Sequence, residues 1–319
     1  MHLRGLTPCL IASILLTACG EDSVEGDWSY GRPTWSPDGR SIAFFERRGW
    51  GDIFIADANG ANQRAVINRN WPIGARFWSP HDPAWAPDGK SIAFSAPPFG
   101  LGGTAFGFDI HTVPIEGQDR RNLTDNRDRH AFDPAWSPDG NRIAFTAHGV
   151  DTCGVHNIYV MDADGANKRN ITPGRVWVNS PAWSPDGKSI AFSLGAPFTD
   201  SAIYLMDADG ANQRRITHGP GRCATPAWSP TGRQIAFSSY LVATDTWEVN
   251  DPGIDVMDAD GANRHRIIDG AGGWAQDPAW APDGESIAFS SRGDIYVMAA
   301  DGGRRRNITN PGYDEDTAP

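Results

Sequence analysis

Pro134-Ala135-Trp136-Ser137-Pro138-Asp139-Gly140, followed shortly by Ile143-Ala144-Phe145, is the passage that decides the fold, because versions of it occur six times along the chain. The other copies occupy residues 33–39, 83–89, 181–187, 226–232 and 278–284. Their marker tryptophans are Trp35, Trp85, Trp136, Trp183, Trp228 and Trp280, so successive markers stand 50, 51, 47, 45 and 52 residues apart. Self-similarity at such a period is the signature of a repeat architecture. Each marker leads into Ile-Ala-Phe, beginning at Ile42, Ile92, Ile143, Ile190, Ile235 and Ile287. In the third unit the apolar run Ile158-Tyr159-Val160-Met161 comes next, then Asp162-Ala163-Asp164-Gly165-Ala166-Asn167 and Arg169-Asn170-Ile171-Thr172.

Each unit reads as four short strands. Ser-Pro-Asp-Gly joins the first two: Pro presets φ at the first central position and Gly accepts positive φ as the chain turns back. Asp-Ala-Asp-Gly joins the third and fourth in the same way. A four-stranded unit cannot bury both of its faces alone, whereas radial stacking buries them against neighbours. The expected fold is therefore all-β: a six-bladed β-propeller of four-stranded antiparallel blades. The repeat Trp and Ile-Ala-Phe side chains are expected to pack between blades. Two units drift, with Pro114 and Glu116-Gly117 in the second and Thr231 in place of the turn Asp in the fifth. The tail at residues 316–319 reads as ring closure beside residues 27–30, not as a seventh unit.

Composition agrees. The chain has 319 residues, enough for a sizeable core, with 39% hydrophobic and 21% charged residues. Its 36 Gly and 24 Pro favour turns over long helices, and 13 Trp demand a packing or recognition role. Lys and Arg number 28 against 39 Asp and Glu, a net charge of −11, which argues against nucleic acid as a partner.

The N-terminus reads as an address. Met1-His2-Leu3-Arg4 leads into an apolar stretch at residues 6–16, a secretory pattern too short for a membrane span. Leu16-Thr17-Ala18-Cys19 resembles the bacterial lipobox, whose Cys is lipidated and becomes the mature N-terminus. The expected organisation is a lipoprotein signal peptide at 1–18, a tether at 19–30 and the propeller at 31–319. Gly20 after Cys19, in place of Asp, implies the periplasmic face of the outer membrane. Processing removes Cys9 and consumes Cys19, leaving Cys153 and Cys223 in an oxidising compartment. They are read either as a disulfide or as two free thiols, the even pair favouring the bond.

The six units resemble the WD-like propeller repeats of the TolB family, which also occur in propellers of prolyl oligopeptidase-type peptidases. The resemblance covers residues 31 to 310. TolB proteins carry an α/β domain before the propeller, and about a dozen residues separate Cys19 from the first repeat here, a departure from the family's pattern that leaves a role in or outside the Tol system open. The peptidases add a hydrolase domain with Gly-x-Ser-x-Gly, a motif missing from this sequence.

Chemistry is expected on one face. Turns between strands one and two, and three and four, are short and uniform. Loops between strands two and three, and between blades, are long and variable, and such loops on a rigid scaffold carry binding. Trp71, Trp78, Trp177, Trp247 and Trp274 fall in the long set, as does His130. Asp82, Asp133 and Asp277 precede first strands and are expected at the mouth of the axial channel. The tryptophans either cap blade ends or form a shallow recognition surface, and the second reading is taken because Trp is favoured at binding hot spots. Asp-x-Asp-Gly-x-Asn lacks the spacing of a calcium loop and reads as turn chemistry. No close ligand pair, Walker loop, zincin motif or nucleophile elbow occurs, so no metal, cofactor or catalytic residue is expected. The expected function is that of a non-catalytic, monomeric, lipid-anchored envelope scaffold that binds a protein or glycan. The alternative is a polysaccharide lyase or hydrolase using His and Asp at the channel mouth.

Overall fold

Every Ile-Ala-Phe forms part of the second strand of a four-stranded antiparallel sheet in the computed structural model. It describes residues 30–46, 52–67, 80–97, 107–125, 130–148, 156–175, 177–195, 200–219, 221–242, 249–269 and 274–310. The described strands number 24, in six sheets with each sheet's strands in chain order, and the described residues include no helix. The chain is a six-bladed, all-β propeller. Blade 3 shows the pattern with Ala131–Trp136, Arg142–His148, His156–Asp162 and Arg169–Asn170. The first strands of all six blades surround one central cavity, so they are the innermost.

Each first strand carries one residue too many. In blade 3, Phe132 pairs with Thr146 and Ala135 with Ala144, so Asp133 and Pro134 together face the single Phe145. The same two-against-one bulge sets residues 32–33, 82–83, 180–181, 225–226 and 277–278 opposite Phe44, Phe94, Phe192, Phe237 and Phe289. Proline belongs at such a bulge because no ladder hydrogen bond is asked of its missing N–H. The residue before it is left-handed in all six blades, from Thr225 at φ 48° to Asp82 and Asp133 at 54°. For a residue with a Cβ this costs about 1–2 kcal/mol, recovered through packing and hydrogen bonds.

The six phenylalanines opposite the bulges are fully buried. In five blades a ring from the third strand stacks on them, with centroids 5.6–6.2 Å apart: Phe54, His111, Tyr159, Tyr204 and Tyr296. Blade 5 departs, with Asp255 paired across from Phe237. Arg264 fills the space, its guanidinium 5.1 Å from the Phe237 ring and 2.7 Å from Asp255 Oδ2, while Arg266 closes on Asp255 Oδ1. The marker tryptophans pack between blades as expected, with Trp183 buried and the other five partly so. Trp35 and Trp228 each donate Nε1–H to a carbonyl of the preceding blade, Ala279 and Ala182, at 3.1 Å.

Among the described residues no strand is exchanged to close the ring. The seam between blades 6 and 1 is made of Ile42, Phe44 and Ala56 against Ala288, Ile295, Val297 and Ile308. At its outer edge Arg306 donates to the Ala58 carbonyl at 2.6 Å, and Gln63 to that of Ile308 at 3.1 Å. The turn glycines let blades approach: at Gly165, φ 92°, a Cβ would stand 2.5 Å from the Leu123 carbonyl oxygen. The tail at residues 316–319 lies outside the described residues.

Phe145→Ala is expected to destabilise the propeller by about 3–5 kcal/mol through the cavity it leaves, measured by urea unfolding. His111 supplies a pH test. It is fully buried against Phe94, and burial, with Arg120 beside it, lowers its pKa to about 4. An unfolded His binds its proton near the ordinary value of 6.5 while the folded one waits until about 4. The unfolded state therefore holds more protons in that window, and this group's contribution to stability falls as pH drops through it. His111→Tyr, the residue of blades 3, 4 and 6, should remove up to about 3 kcal/mol of the loss between pH 7 and 4.

Candidate functional site

The six left-handed residues, each with its proline, line the axial cavity of about 130 Å³: Arg32, Asp82, Asp133, Ser180, Thr225 and Asp277. The bulge turns these side chains onto the axis, and they bond from blade to blade. Arg32 Nε forms an ion pair with Asp82 Oδ1 at 2.9 Å and its Nη1–H donates to Asp133 Oδ1, so one guanidinium ties blade 1 to blades 2 and 3. Asp82 Oδ2 accepts from His81 Nδ1 at 2.5 Å, Ser95 Oγ at 3.1 Å and the Asp133 N–H at 3.3 Å. Asp133 Oδ2 accepts from the Ser180 N–H at 3.0 Å, Thr146 Oγ1 at 3.3 Å and Ser180 Oγ at 3.4 Å. Between blades 5 and 6 a hydroxyl takes over, Ser238 Oγ accepting from the Asp277 N–H at 3.0 Å.

Charge follows geometry. Burial alone would raise the Asp82 pKa, but Arg32 and His81 outweigh it and hold the carboxyl well below the usual range. Burial would lower that of Arg32, but Asp133, Asp82 and Asp277 reverse the effect and fix its charge. For Asp277 burial wins, helped by Asp82 and Asp133 and opposed by Arg32 and the Ser290 hydroxyl, and its pKa is raised. Asp277 accepts from Ser290 Oγ at 3.2 Å, whereas both other ring carboxylates are salt-bridged to Arg32.

Beside this ring, blades 2 to 4 carry an arc of two ring groups, His81–Phe108–His130 and Phe132–His156–Trp177. His81 lies 4.6 Å from Phe108, and Phe108 lies 6.0 Å from His130. Phe132 lies 5.0 Å from His156, and His156 lies 5.2 Å from Trp177. All six rings are half-buried, so each keeps part of its surface outside. Asn179 Oδ1 stands 2.8 Å from His156 Nδ1 and fixes that ring. Trp177 is left-handed at φ 58°, a strained state for a bulky residue, with its carbonyl accepting the Gly195 N–H at 3.2 Å. Burial lowers the pKa of His130, with His156 and His81 adding to it. Burial also lowers that of His156, against the pull of Asn179 and Asp133.

The structure thus gathers Asp82, Asp133 and Asp277 at the axis and sets His130 and Trp177 in the arc. Trp274 is half-buried just before the first strand of blade 6. Trp71, Trp78, Trp247, Cys19 and Cys153 lie outside the described residues. Cys223 belongs to the strand Arg222–Trp228, not to a loop, and is buried against Ile203, Ile235 and Phe237. Among the described residues no three His, Cys, Asp or Glu side chains are gathered to hold a metal ion. Sequence reasoning placed His81 and His156 in the long-loop set without their neighbours, and missed Arg32, Phe108 and Phe132. Arg32 was accessible, since aligning the six units on Pro-x-Trp puts it in the column of Asp82, Asp133 and Asp277. The rings carried no such signal, because their approach depends on how neighbouring blades meet.

A family model described as the TolB β-propeller domain matches residues 52–195 and 157–319. Among solved structures, a protein assigned as TolB from Agrobacterium tumefaciens is 26% identical, the match covering 85% of this chain and 90% of that one at a TM-score of 0.66. TolB from Acinetobacter baumannii is 20% identical over 93% of this chain and 67% of that one, at a TM-score of 0.64. An oligogalacturonate lyase in complex with manganese is 14% identical over 87% of this chain and 77% of that one, with a TM-score of 0.57, and shares the fold alone. No curated protein matches the chain.

Arg32→Met should lower stability by about 2–3 kcal/mol, less than a fully buried pair would cost because the guanidinium keeps 38% of its surface open to the channel. The depressed Asp82 pKa means this contribution is present at neutral pH and fades once pH falls below about 4. Urea unfolding of both proteins at several pH values measures it.

Proposed function

This chain belongs to the TolB β-propeller family, and on that premise we propose that it is a non-catalytic binding scaffold of the bacterial cell envelope. In this reading Cys19 is the lipidated N-terminus and the anchor holds the propeller at the periplasmic face of the outer membrane. The long-loop face then meets a protein or glycan ligand. The observation that carries the reading is the arc at the channel mouth, above all Trp177, held in a strained conformation with its ring against His156. Strain at an aromatic that no repeat requires is consistent with selection for recognition. Trp71, Trp78, Trp247 and Trp274 extend that surface in the proposal, and Asp277 is the carboxylate at its floor. Asp82 and Asp133 give it rigidity, since Arg32, hydroxyls and the N–H groups of the next blade already fill their oxygens. The same saturation weighs against using them as acid and base in a lyase or hydrolase.

Two experiments test this. Cys19→Ser should abolish partition with membranes, and a variant that still fractionates with them would refute the anchor. With the partner recovered from envelope extract on the full chain, Trp177→Ala should weaken binding by about 2 kcal/mol or more, and change stability far less. Unchanged affinity in a binding titration would overturn the assigned face.

A further inference from the structure

We propose that the axial cavity receives the primary ammonium head of a lysine side chain from a protein partner, pairing it with Asp277 as Arg32 is paired with Asp82 and Asp133. The inference rests on the reading of the long-loop face as the binding surface and adds the chemical group that the centre of that face takes.

The six residues aimed at the axis divide into two halves. On one, the Arg32 guanidinium holds Asp82 and Asp133, and hydroxyls and backbone N–H groups complete both carboxylates. On the other stand Ser180, Thr225 and Asp277. Two of these side chains are small, so this half is the less filled part of a cavity of about 130 Å³, several times what one water-sized group needs. Asp277 is buried, and Ser290 Oγ donates to its Oδ2 at 3.2 Å. Among the described residues nothing donates to Asp277 Oδ1 and no cation is salt-bridged to the carboxyl. Oδ1 is not sealed by protein either, and it opens onto the cavity that the residue lines. A carboxylate oxygen so placed is costly until a cation or a proton meets it. With the cavity empty the proton is favoured: burial raises the Asp277 pKa, Asp82 and Asp133 add to it, and Arg32 and the Ser290 hydroxyl oppose it.

The donors and acceptors of the lining select the ligand class. The other six lining residues are prolines, which offer no N–H, and the one cationic side chain is already held. Three carboxyls stand against one guanidinium, so the lining stays net negative even with Asp277 protonated, and it draws in cations. Ser180 directs its hydroxyl proton to Asp133 and keeps lone pairs for a donor in the cavity. Thr225 Oγ1, 2.6 Å from Ser238 Oγ, keeps one as well. An ammonium brings three N–H donors around a point charge, which suits one open carboxylate oxygen flanked by hydroxyls. A guanidinium is favoured by a two-pronged contact, and Ser290 has already half spent that contact on Asp277. The proline rings give the methylene stem of a lysine an apolar wall.

The probes are N-acetyl-lysine N-methylamide, its uncharged norleucine counterpart, its arginine counterpart and calcium chloride. Each is titrated into the full chain and followed by NMR through the side-chain carboxyl carbon of Asp277. The lysine probe is expected to bind about tenfold more tightly than the norleucine probe, and more tightly than the arginine probe. At saturation it should lower the midpoint of the Asp277 titration by about one pH unit for each tenfold preference for the ionised carboxylate, a response that a purely structural carboxylate lacks. Asp277→Asn keeps the shape and removes the charge, so the preference for lysine over norleucine should fall toward one. Should that variant fail to fold, the titration of the unsubstituted chain decides alone. Equal binding of the lysine and norleucine probes, arginine binding as tight as lysine, or an unchanged preference in Asp277→Asn would overturn the proposal. So would a carboxyl signal that answers to calcium and not to the lysine probe, which would mark a metal site. If Trp177→Ala still loses the envelope partner while the lysine probe fails, the binding face stands and this role of the cavity falls.

Discussion

The constraint on which everything else rests is the mismatch of two residues against one on the inner strand of every blade. A buried phenylalanine occupies one position on the second strand, and the first strand must spend two residues passing it. A left-handed residue followed by proline makes that passage, the first bending the chain and the second asking for no hydrogen bond in return. The bend has a geometric by-product. It aims the left-handed side chain at the axis, so six such residues meet in one cavity whatever their chemistry. The channel lining is thus a free choice at six positions whose backbone is fixed by the core.

That freedom is used for cohesion before recognition. A ring of uniform carboxylates would repel itself, and a ring of hydroxyls would leave the axis weakly tied. One arginine among three aspartates, a serine and a threonine avoids both. Arg32 draws in Asp82 and Asp133, whose remaining oxygens reach the N–H groups of the next blades. Blade 5 makes a comparable exchange further out. Asp255 takes the place of the stacked aromatic, and Arg264 restores both packing and charge balance over Phe237. In each case a charged group is buried only with its counter-charge and with hydrogen bonds on its other atoms, the condition under which burial of charge is tolerated.

The fold was legible because its determinants are local and repeated. Pro-x-Trp, Ser-Pro-Asp-Gly and Ile-Ala-Phe each encode a strand or a turn, and six copies remove the ambiguity that one would leave. The placement of Asp82, Asp133 and Asp277 at the axis was legible for the same reason, since their column is fixed by the following proline. The bulge itself was not read, although a proline inside a strand that pairs on one side is its sign. Nor were the partners of the aspartates, because whether a carboxylate faces a ligand or a guanidinium depends on a residue one or two blades away. The arc was half legible: His81, His130, His156 and Trp177 stood out in the long-loop set, while Phe108 and Phe132 joined them only once the blades were set side by side.

Symmetry sharpens the functional argument. Six equivalent blades would offer a partner six equivalent approaches, and binding at one would be no better than at the next. Specific docking therefore needs the long-loop face to differ around the ring. The described residues differ in two places. Blades 2 to 4 carry the ring arc, while blade 5 extends its second and third strands to nine and ten residues and leaves Leu241 45% exposed. The ring arc on one side of the channel and the longer strand pair of another blade give the face a direction that the backbone repeat lacks. Neither feature burdens the core, because the arc is built on strand starts and loops and the longer strands extend beyond the pairing that blade 5 shares with the rest. The repeat supplies rigidity, and in the proposed function recognition is left to the residues that break it.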